Sequence, residues 1–307
     1  MLVMSEDGWT AVDVPDQSGK TIVITGANSG IGWEASRVLA QRGARLVMAV
    51  RRPDAGEAAA ARIRNETPGA DILVAECDLA SLDSIAECST RITERFDHID
   101  VLINNAGIMA VPHGKTADGY ERQFGTNHLG HFALTGRLLA SLLASEAGRV
   151  VTVSSDAHRF GRIDPQYLDG GRYLRWGAYG RSKLANLLFA YELDRRAQSA
   201  GAALTSVACH PGYAATSLQG RAAREQGKSE RFWKVGHVFA QSAADGALPT
   251  LRGATDPAAE GGSCFGPTGR QRGPAVLVRT NGRSHDIDTA LRLWEVSEQL
   301  TGVRYHF

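Results

Sequence analysis

Tyr179 and Lys183 stand four residues apart in the sequence. In a helix this spacing places both side chains on one face. A lysine ammonium close to a phenol stabilises the phenolate and lowers the pKa of the tyrosine. The pair could therefore exchange a proton with a substrate near neutral pH. The alternative is a surface pair without chemistry, which is the commoner use of this spacing.

The glycine-rich segment 25–32, TGANSGIG, lies between a β-branched run and a helical pattern. Glycine tolerates positive φ and lets backbone N–H groups approach a phosphate, while the following helix directs the positive end of its dipole there. The spacing Gly-x-x-x-Gly-x-Gly differs from the common GxGxxG dinucleotide pattern. We interpret the segment as a cofactor loop, and the alternative is a strand-to-helix turn without a ligand. The predicted contacts are Gly26, Asn28, Ser29, Gly30, Ile31 and Gly32.

Two arginines, Arg51 and Arg52, follow the second predicted strand. NAD-binding folds usually place an acidic residue there to bind the ribose 2′-hydroxyl. A guanidinium instead pairs with a 2′-phosphate through two hydrogen bonds, whereas a carboxylate would repel it. This position therefore predicts NADP as the cofactor in preference to NAD. The alternative is two solvated arginines, and Asp54 lies nearby.

Strand and helix patterns alternate along the chain. Apolar, β-branched runs predict strands at 21–25, 45–50, 71–77, 101–104, 149–154 and 204–210. Helical spacing predicts helices at 31–42, 55–65, 82–96, 120–143, 179–199 and 289–300. The alternation predicts an α/β fold, a single Rossmann-like doubly wound parallel sheet with helices on both faces. We expect one domain over 1–307, with a polar lead-in at 1–19 and an irregular substrate cap at 211–251.

The composition excludes several classes of protein. With a net charge of +1 and 22% charged residues, the chain has no strong positive potential that would attract a polyanion. We therefore expect no nucleic-acid partner. No run approaches the roughly 18 apolar residues of a membrane span, and the N-terminus lacks a signal-peptide pattern. We therefore expect a cytoplasmic protein. The four cysteines and the pair His128 and His131 lack metal-ligand spacing, so we predict no metal and no disulfide framework.

Several of these segments occur together in a fixed order. The glycine loop, NNAG at 104–107, the serines at 154–155 and the pair at 179 and 183 resemble the short-chain dehydrogenase/reductase family over about 20–210. AHRFGRID at 157–164 and SKLAN at 182–186 look like its retinol-dehydrogenase-like branch. That branch is similar to protochlorophyllide reductases, which reduce a C=C bond.

The resemblance implies a role for each residue of a catalytic set. Tyr179 would be the general acid/base, and Lys183 would bind the nicotinamide ribose and lower the tyrosine pKa. Ser155 would hydrogen-bond the substrate oxygen, and Asn127 would support a water relay to the lysine. Ser155 is chosen over Ser154 because the family uses the second serine of such a pair, although its separation of 24 positions from the tyrosine is longer than usual. Further implied cofactor contacts are Asp78, Leu79, Asn105, Ala106, Gly107, Pro211, Gly212 and Thr216, besides Tyr179 and Lys183.

The predicted activity is hydride transfer between NADP(H) and a carbonyl or alcohol carbon of a small, apolar or aromatic substrate. One alternative is C=C reduction of the protochlorophyllide-reductase type. Another is a redox sensor that binds NADP(H) without turnover, and the complete catalytic set argues against it. Nothing in the sequence excludes a homo-oligomer.

Overall fold

The computed structural model describes residues 8–163, 173–213 and 241–307. Their strands form one sheet in the order β3-β2-β1-β4-β5-β6-β7-β8. Neighbouring strands from β3 to β7 pair in parallel, and β8 pairs antiparallel with β7. The strands are β1 (Thr21–Thr25), β2 (Arg45–Val50), β3 (Ile72–Glu76), β4 (Val101–Asn104), β5 (Gly148–Val153), β6 (Leu204–Cys209), β7 (Cys264–Pro267) and β8 (Ala275–Leu277).

Helices cover both faces of this sheet, as the alternation predicted. Successive strand side chains point to opposite faces, so Ile22 and Ile24 pack against α1, α2 and α6, whereas Val23 packs in the core formed by α3, α4 and α5. The helices are α1 (Gly30–Gln41), α2 (Pro53–Glu66), α3 (Leu82–Thr93), α4 (Gly130–Leu143), α5 (Arg175–Ser199), α6 (Ala243–Thr255) and α7 (Ile287–Thr301). In the part of the chain that the structure describes, no helix is long and apolar enough to cross a membrane.

The strand order creates a crevice beside β1. From β1 the chain winds outward through β2 to β3, and then crosses back to β4 on the other side of β1. The connections after β1 and β4 therefore leave in opposite directions, and ligands of doubly wound sheets bind at such a point. The register aligns Ile24 with Ile103, so the glycine loop and the NNAG segment begin side by side.

The helix predicted at 120–143 is interrupted. A short helical turn, Arg122–Phe124, leads into a π-helical turn, Gly125–Leu129, and only then does α4 begin. A π-turn adds one residue to the helical hydrogen-bonded ring and often marks a functional site. The apolar periodicity of the segment does not reveal it, because most residues from 123 to 135 are buried and a shift of the helical phase leaves no break in the pattern. Asn127 lies within this turn.

The second half of the sheet also differs from the sequence prediction. Strands β7 and β8 were not predicted, since each is short and β7 contains glycine and proline. Residues 243–251 of the predicted irregular cap instead begin α6, whose Ala247 and Leu251 are buried against α1 and the sheet. Residues 214–240 of that cap lie outside the described residues.

Candidate active site

A cleft opens at the carboxyl ends of β1, β4 and β5, and it collects most of the predicted site. The predicted residues that line it are Gly26, Asn28, Ser29, Gly30, Ile31, Gly32, Arg51, Asp78, Leu79, Asn105, Ala106, Gly107, Tyr179, Lys183 and Pro211. Four other predicted residues within the described ranges, Arg52, Asn127, Ser155 and Gly212, lie outside its lining. Thr216 lies outside the described residues. Thr25, Ile108 and Thr126 also line the cleft and were not predicted.

The glycine loop is pressed against the segment that follows β4. Gly26 and Gly30 adopt left-handed φ angles of 66° and 58°, which favour glycine. A Cβ on Gly32 would lie 2.5 Å from the Gly26 carbonyl oxygen and 2.6 Å from Asn105 Nδ2. Asn105 Nδ2 in turn donates to the Thr25 carbonyl at 2.8 Å. These contacts leave the backbone before α1 close to the cleft, a cradle that suits a dinucleotide pyrophosphate.

Gly32→Ala should weaken NADPH binding by about tenfold or more, because the added methyl must displace either loop by several tenths of an ångström. The measurement is titration of NADPH by nicotinamide fluorescence. Gly282→Ala is the control, since a Cβ there meets nothing within 4 Å. Equal NADPH affinity of the Gly32 variant and the control would show that the loop does not hold the cofactor.

Tyr179 and Lys183 lie on α5, and both are buried against the cleft. Lys183 Nζ lies 5.9 Å from the centroid of the Tyr179 ring and donates to the Val153 carbonyl at 3.0 Å. Burial raises the pKa of Tyr179 to about 12, while a hydrogen bond with Ser155 acts in the opposite direction. Burial also lowers the pKa of Lys183 to about 8. In the protein without a bound cofactor, the pKa of Tyr179 is therefore raised, because burial is the dominant effect. The expected lowering of this pKa by Lys183 is not seen.

The two serines after β5 have different hydrogen-bond partners. Ser154 is buried and its hydroxyl donates to the Lys183 carbonyl at 2.7 Å. The Ser155 hydroxyl interacts with the Tyr179 phenol and accepts from the Ala157 backbone N–H at 3.2 Å. Ser155 is thus the serine that interacts with the tyrosine, whereas Ser154 is the one that lines the cleft.

Asn127 does not line the cleft but ties together two segments that do. Its Oδ1 accepts from the Ile108 N–H at 2.8 Å, and its Nδ2 donates to the Ile108 carbonyl at 2.9 Å. Nδ2 also lies 2.9 Å from Ser182 Oγ on α5. The asparagine side chain therefore fixes the segment after β4 relative to the helix that carries Tyr179 and Lys183.

Sequence reasoning gave no role to Thr25 or His131. The structure places His131 between the Asn127 carbonyl and the Thr25 hydroxyl. The only sequence signal was a histidine four residues after the asparagine, which is one helical turn. Thr25 gave no signal, because its partners lie far away in the sequence.

Three buried histidines should make the protein less stable as the pH falls. Burial lowers the pKa of His128 to about 3 and of His131 and His210 to about 4. The unfolded chain binds protons at these residues below a pH of about 6.5, whereas the folded chain does not until about pH 4 at His131 and His210 and about pH 3 at His128. Each histidine therefore contributes stability above pH 6.5 that is lost on acidification, by about 1.4 kcal/mol per pH unit.

Urea unfolding at a series of pH values measures this slope. Between about pH 6 and pH 5, His128→Gln should reduce the pH dependence of the free energy of unfolding by the contribution of one proton, about 1.4 kcal/mol per pH unit. This holds whatever the effect of the substitution on absolute stability. An unchanged slope in this variant would mean that His128 is protonated in the folded protein.

The chain is similar in sequence to known proteins over most of its length. Residues 20–227 match the profile of the family described as short chain dehydrogenase. Retinol dehydrogenase 12 from Mus musculus is 40% identical over 297 residues, covering 96% of this chain and 90% of that protein. Retinol dehydrogenase 13 from Homo sapiens is 41% identical over 292 residues, covering 93% and 85% respectively. The resemblance to the retinol-dehydrogenase-like branch, which rested on residues 157–164 and 182–186, is confirmed.

Two solved structures share the fold. An uncharacterized protein from Mycobacterium paratuberculosis is 44% identical, with a TM-score of 0.81, and the match covers 98% of this chain and 100% of that one. A short chain dehydrogenase from Escherichia coli CFT073 complexed with NADPH is 23% identical, with a TM-score of 0.63 and coverage of 82% and 98%. At that identity the second likeness shows the fold alone.

Proposed function

Because the chain belongs to the short-chain dehydrogenase/reductase family, we propose that it is an NADP(H)-dependent oxidoreductase that interconverts a carbonyl and an alcohol. The observation that carries this proposal is the placement of Tyr179 and Lys183 in the cleft formed by the glycine loop, with the Ser155 hydroxyl at the phenol. A fold alone does not establish chemistry, whereas a proton donor beside a dinucleotide cradle supports hydride transfer coupled to proton transfer.

Three residues of the chain, Tyr179, Ser155 and Lys183, would carry out the proton transfer and stabilise the charge that it creates. A bound nicotinamide would supply the hydride in reduction or take it up in oxidation. With a pKa of about 12, Tyr179 is protonated at neutral pH and is ready to donate to a carbonyl oxygen. The Ser155 hydroxyl would hydrogen-bond the same oxygen as negative charge develops there. Lys183, with a pKa of about 8, keeps its positive charge at neutral pH and would bind the ribose and favour the phenolate after transfer.

The cleft offers a separate group of residues to each part of NADP(H). The glycine loop would hold the pyrophosphate, and Arg51, the arginine that lines the cleft, would pair with the 2′-phosphate. Asp78, Leu79 and the segment 105–107 would contact the adenosine side. Pro211, which lines the cleft, and its neighbour Gly212, which does not, would lie on the nicotinamide side.

The substrate proposed is an apolar or aromatic carbonyl compound. The Trp176 ring lies 6.1 Å from the Tyr179 ring, and its side chain is 59% exposed. Phe160, at the end of the turn that follows Ser155, is also exposed. An exposed apolar ring beside the proton donor, as Trp176 provides, suits an apolar substrate. The relatives named retinol dehydrogenases make retinal a reasonable first compound.

The test is a panel of carbonyl compounds incubated with NADPH, with the products identified by mass. We expect retinal and other apolar aldehydes to give alcohols, and small charged keto acids to react poorly. Products in which a C=C bond is reduced and the carbonyl is retained would favour the alkene-reductase alternative. Tight NADPH binding without any turnover would favour the redox sensor.

A further inference from the structure

His131 bridges two parts of the cleft through both ring nitrogens. It lies on α4 and is 1% exposed. Its Nδ1 lies 2.9 Å from the Asn127 carbonyl oxygen, and its Nε2 lies 2.9 Å from Thr25 Oγ1. A carbonyl oxygen only accepts hydrogen bonds, so Nδ1 carries the proton. Because burial lowers the pKa of His131 to about 4, the ring is neutral at neutral pH, and Nε2 accepts from the Thr25 hydroxyl.

The Thr25 end of this bridge belongs to the cofactor cleft. Thr25 is the last residue of β1 and is followed directly by the glycine loop. Its Oγ1 accepts from the backbone N–H groups of Asn105 at 2.9 Å and Ala106 at 3.0 Å. The competing acceptor for its proton, the Ile103 carbonyl, lies farther away at 3.3 Å. The hydroxyl that donates to His131 therefore also positions the segment after β4.

The Asn127 end of this bridge is tied to α5, the helix that carries Tyr179 and Lys183. Asn127 sits in the π-turn, and its side chain holds both Ile108 and Ser182. The His131 ring binds the backbone carbonyl of this same residue. Any shift of the ring would therefore move the asparagine that links the cleft wall to the helix of Tyr179 and Lys183.

We propose that His131 is a positioning residue for the reaction proposed above. Its ring keeps Asn127 and Thr25, at the end of β1, at one fixed separation. The inference rests on the proposed function. His131 does not line the cleft and acts through its two partners. His128 provides the contrast: it is equally buried, but its Nε2 lies 2.9 Å from Ser297 Oγ on α7, away from the cleft.

His131→Phe removes both hydrogen bonds and keeps an aromatic ring. We expect its kcat to fall about tenfold or more, with the substrate KM changed by less than about threefold, because alignment rather than substrate binding is lost. His128→Phe is the matched control and should keep kcat within about twofold of the wild type. Thermal unfolding of both variants identifies a temperature at which each is folded, and kcat is compared there. Equal kcat of the folded His131→Phe and His128→Phe proteins would overturn the inference.

Two conservative variants separate the two bonds. His131→Asn places an amide N–H near the position of Nδ1, whereas His131→Gln places an amide oxygen near Nε2. We expect His131→Asn to recover most of kcat through Asn127, and His131→Gln to recover mainly the NADPH affinity through Thr25. Recovery by neither variant would contradict the positioning role.

NADPH titration keeps this inference separate from the proposed function. Absence of turnover by the wild type would overturn the proposed function alone. His131→Phe should still bind NADPH at least about threefold more weakly than His128→Phe, because the Asn105 and Ala106 N–H groups lose a fixed partner. Equal NADPH affinity of the two variants would then overturn the inference.

Discussion

The Tyr179→Phe variant should lose turnover by about 10²- to 10⁴-fold and bind NADPH with almost unchanged affinity. The substitution removes only the phenolic oxygen, which is the proposed proton donor to the carbonyl. The ring is 5% exposed and keeps its packing, so the fold and the cofactor cleft remain in place. Measurement of kcat/KM with a reactive aldehyde, together with the NADPH dissociation constant, separates the two effects.

Tyr191→Phe is a matched control on the same helix. Tyr191 is also 5% exposed, and its hydroxyl lies 3.0 Å from Thr280 Oγ1 rather than at the cleft. We expect its turnover to stay within about twofold of the wild type. If Tyr179→Phe retained turnover, or if both variants lost it equally, Tyr179 would not be the proton donor.

Arg51→Gln should weaken NADPH binding by about 10- to 100-fold and leave NADH binding within about twofold of the wild type. A charge-assisted pair with the 2′-phosphate is lost, and NADH has no phosphate at that position. Because Arg51 is exposed at the edge of the cleft, the difference should shrink as the salt concentration rises. Titrations of both dinucleotides in low and high salt measure it.

Arg52→Gln is the control for this prediction. Arg52 is the residue before α2 and lies outside the lining of the cleft, although it carries the same charge as its neighbour. We expect it to change NADPH affinity less than Arg51→Gln does. An equal loss of NADH and NADPH affinity in Arg51→Gln would show that the arginine does not recognise the 2′-phosphate.

The main features of the fold could be predicted because they rest on local patterns. Strand β1 and helix α1 combine a β-branched run, a glycine turn and helical spacing, so strand, loop and helix each have their own signal. The glycines at 26, 30 and 32 meet steric requirements, a positive φ or a close backbone contact, that a sequence displays directly as glycine. The spacing of Tyr179 and Lys183 predicts a shared helical face, and both side chains do line one cleft.

The features that could not be predicted depend on contacts between distant residues. The bond between Thr25 and His131 joins positions 106 residues apart, and no periodicity encodes it. The upward shift of the Tyr179 pKa follows from its burial, which the spacing to Lys183 does not reveal. Strands β7 and β8 are too short to show an alternation of apolar and polar residues. They are held in the sheet by the pairing of β7 with β6 and of β8 with β7.

The most direct test of the proposed reaction is transfer of deuterium from NADPH labelled at the reactive nicotinamide carbon. The wild-type protein is incubated with labelled NADPH and retinal or another apolar aldehyde, and the product is analysed by mass spectrometry. We predict an alcohol with deuterium on the former carbonyl carbon. Deuterium on a carbon of a reduced C=C bond, or no transfer to any compound of the panel, would contradict the proposal.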